Sequence, residues 1–190
     1  MGKLANRLIA VGLTGSLVAG GVFIATHEGH VPGTYVDPAG IITACYGHTS
    51  PELKLGTELS EDECLELLAK DLSSHNAQLM RAVQVDLSEG EHVAYLSFHY
   101  NVGAGNFRQS TLLRYLNAEQ RVEACNQLTR WVYAGGQQLP GLVRRREEEK
   151  QICLEGVHHA ANQTHTDYHE RYSDDCYCGG VQLRQPKTHQ

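Results

Sequence analysis

The chain has 190 residues, enough for one domain with a real hydrophobic core. Its formal net charge of −6 leaves no general basic footprint, which argues against nucleic acid as a partner and requires a local cleft for any anionic polymer. Six cysteines without a Cys-x-x-Cys spacing argue against a zinc ribbon or thioredoxin-type site and favour disulfides made in an oxidising compartment.

Leu8 to Ala25 reads LIAVGLTGSLVAGGVFIA, an uncharged run that just reaches the length of a transmembrane helix. Lys3 and Arg7 precede it, and no Lys or Arg follows until Lys54. The positive-inside rule then keeps the N-terminus cytoplasmic and exports the rest, in a bacterium to the periplasm. Half of the run is Ala, Gly, Ser or Thr, so its net drive to insert is only about a few kcal/mol. Three readings fit: a cleaved signal peptide, a permanent anchor dimerising through Gly12, Ser16 and Gly20, or an anchor that can leave the membrane.

The next stretch, His27 to Thr49, is rich in Gly and Pro and carries Glu28, Asp37, Thr43 and a Gly47-His48-Thr49 run. Thr34-Tyr35-Val36 and Ile41 to Tyr46 are β-formers around an Asp-Pro-Ala-Gly turn, which predicts a small hairpin or three short strands. Ser60 with Glu63 is a capping box that opens a helix to about Ala82, joining two lobes. Ser88 with Glu91 is a second box, opening a helix that ends near Asn101-Val102-Gly103. Another helix is predicted from Asn106 or Phe107 through Leu116, and a further one over Ala118 to Val132 with Trp131 in the core. Gly135-Gly136 ends it, and Gly141 to Leu154 is the last predicted helix. Arg144 to Arg146 followed by Glu147 to Glu149 reads as a salt-bridged, solvated face.

Residues 157–190 are rich in His, Gln, Thr and Asp and poor in large aliphatics, so they are expected to be disordered or loosely packed. His158, His159, His165, His169, Cys176 and Cys178 show no standard ligand spacing and read as part of a polar tail. The sequence leaves the disulfide pairing open. Joining neighbouring segments would pair Cys45 with Cys64 and Cys125 with Cys153.

Glu28, Asp37 and Thr43 together suit cleavage of a glycosidic bond. That reaction needs a carboxylic acid to protonate the leaving oxygen and a second carboxylate that attacks the sugar or activates a water. Glu28, at a helix end packed on apolar residues, is the candidate acid. Asp37, in a polar turn, is the candidate carboxylate, and the Thr43 hydroxyl could hold the water. Spacing alone fits surface carboxylates on a hairpin as well.

The order of motifs is more specific. Glu28, Asp37, Thr43 and Gly47-His48 resemble the active-site segment of the glycoside hydrolase family 24 phage lysozymes. Tyr100 to Asn117, Arg130 to Gly136 and the Gly141-Leu142…Arg145-Arg146 segment are similar to the core of the same family. The resemblance spans residues 26–156, with 1–25 as a signal-anchor segment and 157–190 as a tail. It implies an α+β lysozyme-like fold with a small β lobe and a helical lobe. It also implies hydrolysis of the β-1,4 bond between N-acetylmuramic acid and N-acetylglucosamine in peptidoglycan, with no cofactor or metal. Glu28 is then the general acid, and Asp37 and Thr43 position the water in an inverting arrangement. His48 is a structural residue paired with Asp71. Asn101 and Arg108 either touch the sugar or fix their loop.

The apolar run also resembles that of the signal-anchor-release endolysins of lambdoid phages. By that resemblance the enzyme is held inactive at the inner membrane and is then released, as a monomer, into the periplasm of the host. Some relatives activate through a cysteine inside the anchor, but this chain has none before Cys45. A membrane-tethered murein-binding protein without catalysis and a lytic transglycosylase are the alternatives.

Overall fold

The computed structural model describes residues 2–36 and 40–172, with side chains as far as Ala161. The apolar run does not form one helix. It is divided between α1 (Lys3–Ala10) and α2 (Ser16–Glu28), and Gly12 and Gly15 between them both take positive φ. Two glycines in a conformation that Cβ-bearing residues avoid turn the chain back on itself. Among the described residues no helix is long and apolar enough to cross a membrane.

The two helices are folded onto the body through small residues. Gly20, Gly21, Ile24 and Ala25 form the buried face of α2, and Leu8 is the buried residue of α1. A Cβ on Gly21 would lie 2.9 Å from Leu72 and 3.0 Å from Leu8, so a larger residue there would have to push those side chains aside. Arg7 reaches Glu61 and Asp62, the acidic first turn of the next helix.

Strands β1 (Val31–Val36), β2 (Ile42–Cys45) and β3 (His48–Thr49) form an antiparallel sheet in sequence order, with Tyr35 opposite Thr43 and Thr43 opposite Thr49. Helix α3 (Glu61–Ala82) leads from this small lobe into the helical one and buries Leu65, Leu68, Leu72 and Leu79. Its capping box is formed: the Ser60 hydroxyl accepts from the Glu63 N–H, and the Glu63 carboxylate accepts from the Ser60 N–H. Ser88 and Glu91 repeat the device at the start of α4 (Glu89–Gln109). Helix α4 bends at Gly103, the one residue inside it with non-helical dihedrals, where the sequence predicts an end and a restart.

The following elements are shorter than predicted. Instead of one helix over 118–132 there are α5 (Thr111–Asn117), α6 (Arg121–Gln127) and a single 3-10 turn, Leu128–Arg130. Glu119 takes a positive φ that separates the first two. Gly135-Gly136 then forms the two-residue turn of a hairpin between β4 (Tyr133–Ala134) and β5 (Gln137–Gln138). Trp131 packs edge-on against Phe98, in keeping with a core role.

Helix α7 runs from Pro140 to Tyr172, well past the predicted end at Leu154, so the first part of the polar tail is helical. Gly156 looks like a stop signal but serves a helix crossing. A Cβ there would lie 2.8 Å from the Cα of Gly90 on α4. His165 and His169 have side chains outside the described residues, as do Cys176 and Cys178 entirely. Disulfides Cys45–Cys64 and Cys125–Cys153 join the sheet to α3 and α6 to α7, the pairs that link neighbouring segments.

Candidate active site

Glu28 is the last residue of α2, and Gly29 caps the helix with a positive φ. Its Oε1 accepts a hydrogen bond of 2.6 Å from Nη1 of Arg145, a side chain only 5% exposed. Glu28 itself stays 22% exposed, open to a cleft of about 610 Å³ lined also by Asn101, Leu139, Leu142 and Arg144. The turn after β2 closes the other side, where a Cβ on Gly47 would lie 3.6 Å from the second carboxylate oxygen. Tyr100 steadies that turn by donating to the carbonyl of Tyr46 at 3.0 Å. Burial, with the nearby charges of Asp71 and Glu28, pushes the Tyr100 phenol well above its ordinary value, so it remains a donor. The apolar surroundings expected of Glu28 are thus replaced in part by a guanidinium.

The arginine run is not a solvated face. Arg145 and Arg146 are buried, as is Glu149, while Arg144 is exposed. Arg145 Nε donates to Glu149 at 3.2 Å, and Arg146 donates to both Glu149 and Asn101. The Ser97 hydroxyl donates to the same carboxylate at 2.6 Å. Arg146 lies over the ring of Phe98, and burial lowers its basicity while Glu149 opposes that shift. Asn101 thus accepts from Arg146 while also lining the cleft, and Arg108 is exposed. A signal for this arrangement was in the sequence: Leu142, Arg146, Glu149, Cys153 and Gly156 recur at alternating steps of four and three, the stripe of an inward helix face.

Thr43 is buried in the middle strand, and its hydroxyl donates to the carbonyl of Ile41 at 3.2 Å. Asp37, which follows β1, lies outside the described residues. His48 Nδ1 lies 2.8 Å and 3.0 Å from the two carboxylate oxygens of Asp71, tying β3 to α3.

One turn along α3 from Asp71, His75 meets His99 of α4, Nδ1 to Nδ1 at 2.9 Å. Burial first, then repulsion from His75 and Arg108, pushes the His99 imidazole down to about 4. Burial also lowers His75, against the pull of Asp71. The native pair therefore resists protonation, whereas the unfolded chain binds those protons near the ordinary histidine value of about 6.5. Because the unfolded state holds more protons in this window, stability rises with pH through it and falls on acidification. The melting temperature, followed by circular dichroism, will drop between pH 7 and pH 4.5. The drop will be smaller in His99→Gln than in the unsubstituted protein.

Comparison with known proteins agrees with this fold. The family model described as phage lysozyme matches residues 25–149. The SAR-endolysin of bacteriophage PS119 is 49% identical over 122 residues, covering 64% of this chain and 73% of that protein. The SAR-endolysin of Escherichia phage Mu is 36% identical over 157 residues, covering 79% of this chain and 90% of that protein. Among solved structures, the muramidase domain of SpmX from Asticaccaulis excentricus superposes with a TM-score of 0.66 at 30% identity, over 72% of this chain and 95% of that one. With the family model, the motif order and the two-lobed fold in agreement, the chain belongs to the phage lysozyme family and is an endolysin-type hydrolase.

Proposed function

We propose that this endolysin cleaves the β-1,4 bond between N-acetylmuramic acid and N-acetylglucosamine of peptidoglycan to lyse the host cell. Glu28 is the general acid. Asp37 and Thr43 hold the attacking water on the opposite face of the sugar, so the configuration at the anomeric carbon inverts. The enzyme is first held inactive in the inner membrane by Leu8 to Ala25, facing the periplasm, and becomes a soluble periplasmic monomer on release.

One observation carries the regulatory part of this reading. Glu28 is the terminal residue of a helix built from the apolar run, and the Glu28–Arg145 contact depends on that helix being seated on the body. While the run spans a bilayer, the seat is empty and the cleft is incomplete. Exit requires Lys3 and Arg7 to cross outward against a potential that is negative inside. That opposes release by roughly 2.3 kcal/mol per charge per 100 mV. Loss of the potential removes this barrier, the weakly apolar run leaves, and Arg7 gains Glu61 and Asp62 as partners.

The test compares murein cleavage by membrane-embedded protein and by protein released after the potential is collapsed. Released protein will generate new reducing ends and embedded protein will not; equal rates in the two states refute the regulatory reading. A 1,6-anhydro product in place of reducing ends would establish a transglycosylase instead.

A further inference from the structure

The buried face of α2 packs closely, Gly20 against Leu96 and Gly21 against Leu72 and Leu8, and polar contacts add direction to this apolar packing. Among the described residues, the side-chain hydrogen bonds from α2 to the rest of the molecule lie at its two ends. His27 and Glu28 bond to Glu148 and Arg145 at the C-terminal end. At the N-terminal end the Ser16 hydroxyl lies 2.7 Å from Nδ1 of His92 on α4, and Nε2 of His92 lies 2.6 Å from Oδ1 of Asn76 on α3. Three elements thus meet in one polar chain at the start of the helix that ends in Glu28.

We infer that Ser16, His92 and Asn76 form a latch that locks α2 in its docked register, and that these three are positioning residues for Glu28. This rests on the reading of Glu28 as the acid whose placement depends on docking. The hydrogen-bond roles are determined by the partners. Asn76 Oδ1 can only accept, so Nε2 of His92 carries the proton and Nδ1 accepts from the Ser16 hydroxyl. Burial holds the His92 imidazole below its ordinary value, which keeps the ring neutral and Nδ1 free to accept. In a bilayer-spanning helix the same serine can satisfy its hydroxyl on a carbonyl one turn back, so it imposes little penalty before release. Thr14, the other hydroxyl of the run, is exposed in the turn.

The geometry connects the latch to the active site. Ser16 and Glu28 are the first and last residues of one 13-residue helix, about 18 Å apart along the axis. A slip by one residue would shift Glu28 by about 1.5 Å and rotate it by about 100°, taking its carboxylate off Arg145. It would also leave the acceptor of a half-buried imidazole without a partner, which disfavours the slipped state.

The test uses full-length released protein and the variants Ser16→Ala, Ser16→Thr and Asn76→Ala, with murein turnover and hydrogen exchange of α2 amides as readouts. Ser16→Ala will speed exchange along α2 about tenfold, the loss of one part-buried hydrogen bond. It will also lower kcat several-fold with KM unchanged, because the cleft still binds the glycan while the acid is misplaced. Ser16→Thr will restore both, and Asn76→Ala will reproduce the defect in weaker form. Unchanged kcat and unchanged α2 exchange in Ser16→Ala overturn the latch. So does a loss of kcat that Ser16→Thr fails to recover. Failure of the underlying reading is distinct: it would appear as full activity in Glu28→Gln, whatever Ser16→Ala does.

Discussion

Glu28→Gln will abolish lysis while leaving the protein folded. Glutamine keeps the volume of the side chain, and its amide oxygen can still accept the 2.6 Å hydrogen bond from Arg145, so the contact that seats the end of α2 survives. In the proposed mechanism, what is lost is the proton that the leaving oxygen needs. General acid catalysis contributes about 10²- to 10⁴-fold, and turnover of purified murein should fall by that factor. The melting temperature should stay near that of the unsubstituted protein. The combination of unchanged stability and lost activity separates catalysis from scaffolding. A murein-binding protein without catalysis would lyse, or fail to lyse, identically with either residue. Arg145 makes the experiment informative, because a guanidinium against the carboxylate could also mean that Glu28 is a structural ion pair. If Glu28→Gln lost stability and kept activity, that structural interpretation would be correct.

The parts of this architecture that were legible in the sequence are those written in local chemistry. The capping boxes at Ser60 and Ser88, the β-formers around Thr43, the helix carrying Leu65 to Leu79 and the His48–Asp71 pair depend on short-range signals or on a motif spacing. What escaped depends on partners far apart in the chain. Nothing near Arg145 announces that Glu28, more than a hundred residues earlier, is its partner. The run of three arginines and three glutamates reads as solvated because charged residues are seldom buried, and only the four-three stripe through Glu149 and Cys153 contradicts that. Gly156 depends on a distant partner in the same way. Glycine marks a helix end in local terms, but here it makes room for Gly90 of another helix. The apolar run is the deepest ambiguity, because the same small residues that make it a weak membrane segment let it fold as two helices against Leu72 and Leu96.

Glu149→Ala will be the most destabilising of the charge changes on α7. The carboxylate is fully buried and is shared by Arg145, Arg146 and the Ser97 hydroxyl. Removing it leaves two guanidinium groups in the interior with no anion between them, and Arg146 already has one nitrogen, Nε, without a partner. Breaking a buried ion pair from one side costs about 3–5 kcal/mol. For a chain of this size that corresponds to a fall of about 6–20 °C in melting temperature. Arg144→Ala and Glu147→Ala, in the same run but on the exposed face, should stay within about 0.5 kcal/mol of the parent. The contrast decides between a solvated charge run and a buried network, since the former predicts small and similar effects at all three positions. It also bears on catalysis. Arg145 is held by Glu149 on one side and holds Glu28 on the other, so a loosened Arg145 no longer fixes Glu28. Activity measured well below the lowered melting temperature should therefore fall in Glu149→Ala and be unaffected in Glu147→Ala, whose side chain is exposed away from the cleft lining. A variant that melts early yet turns over murein at the parental rate would show that Arg145 does not depend on Glu149 to orient Glu28.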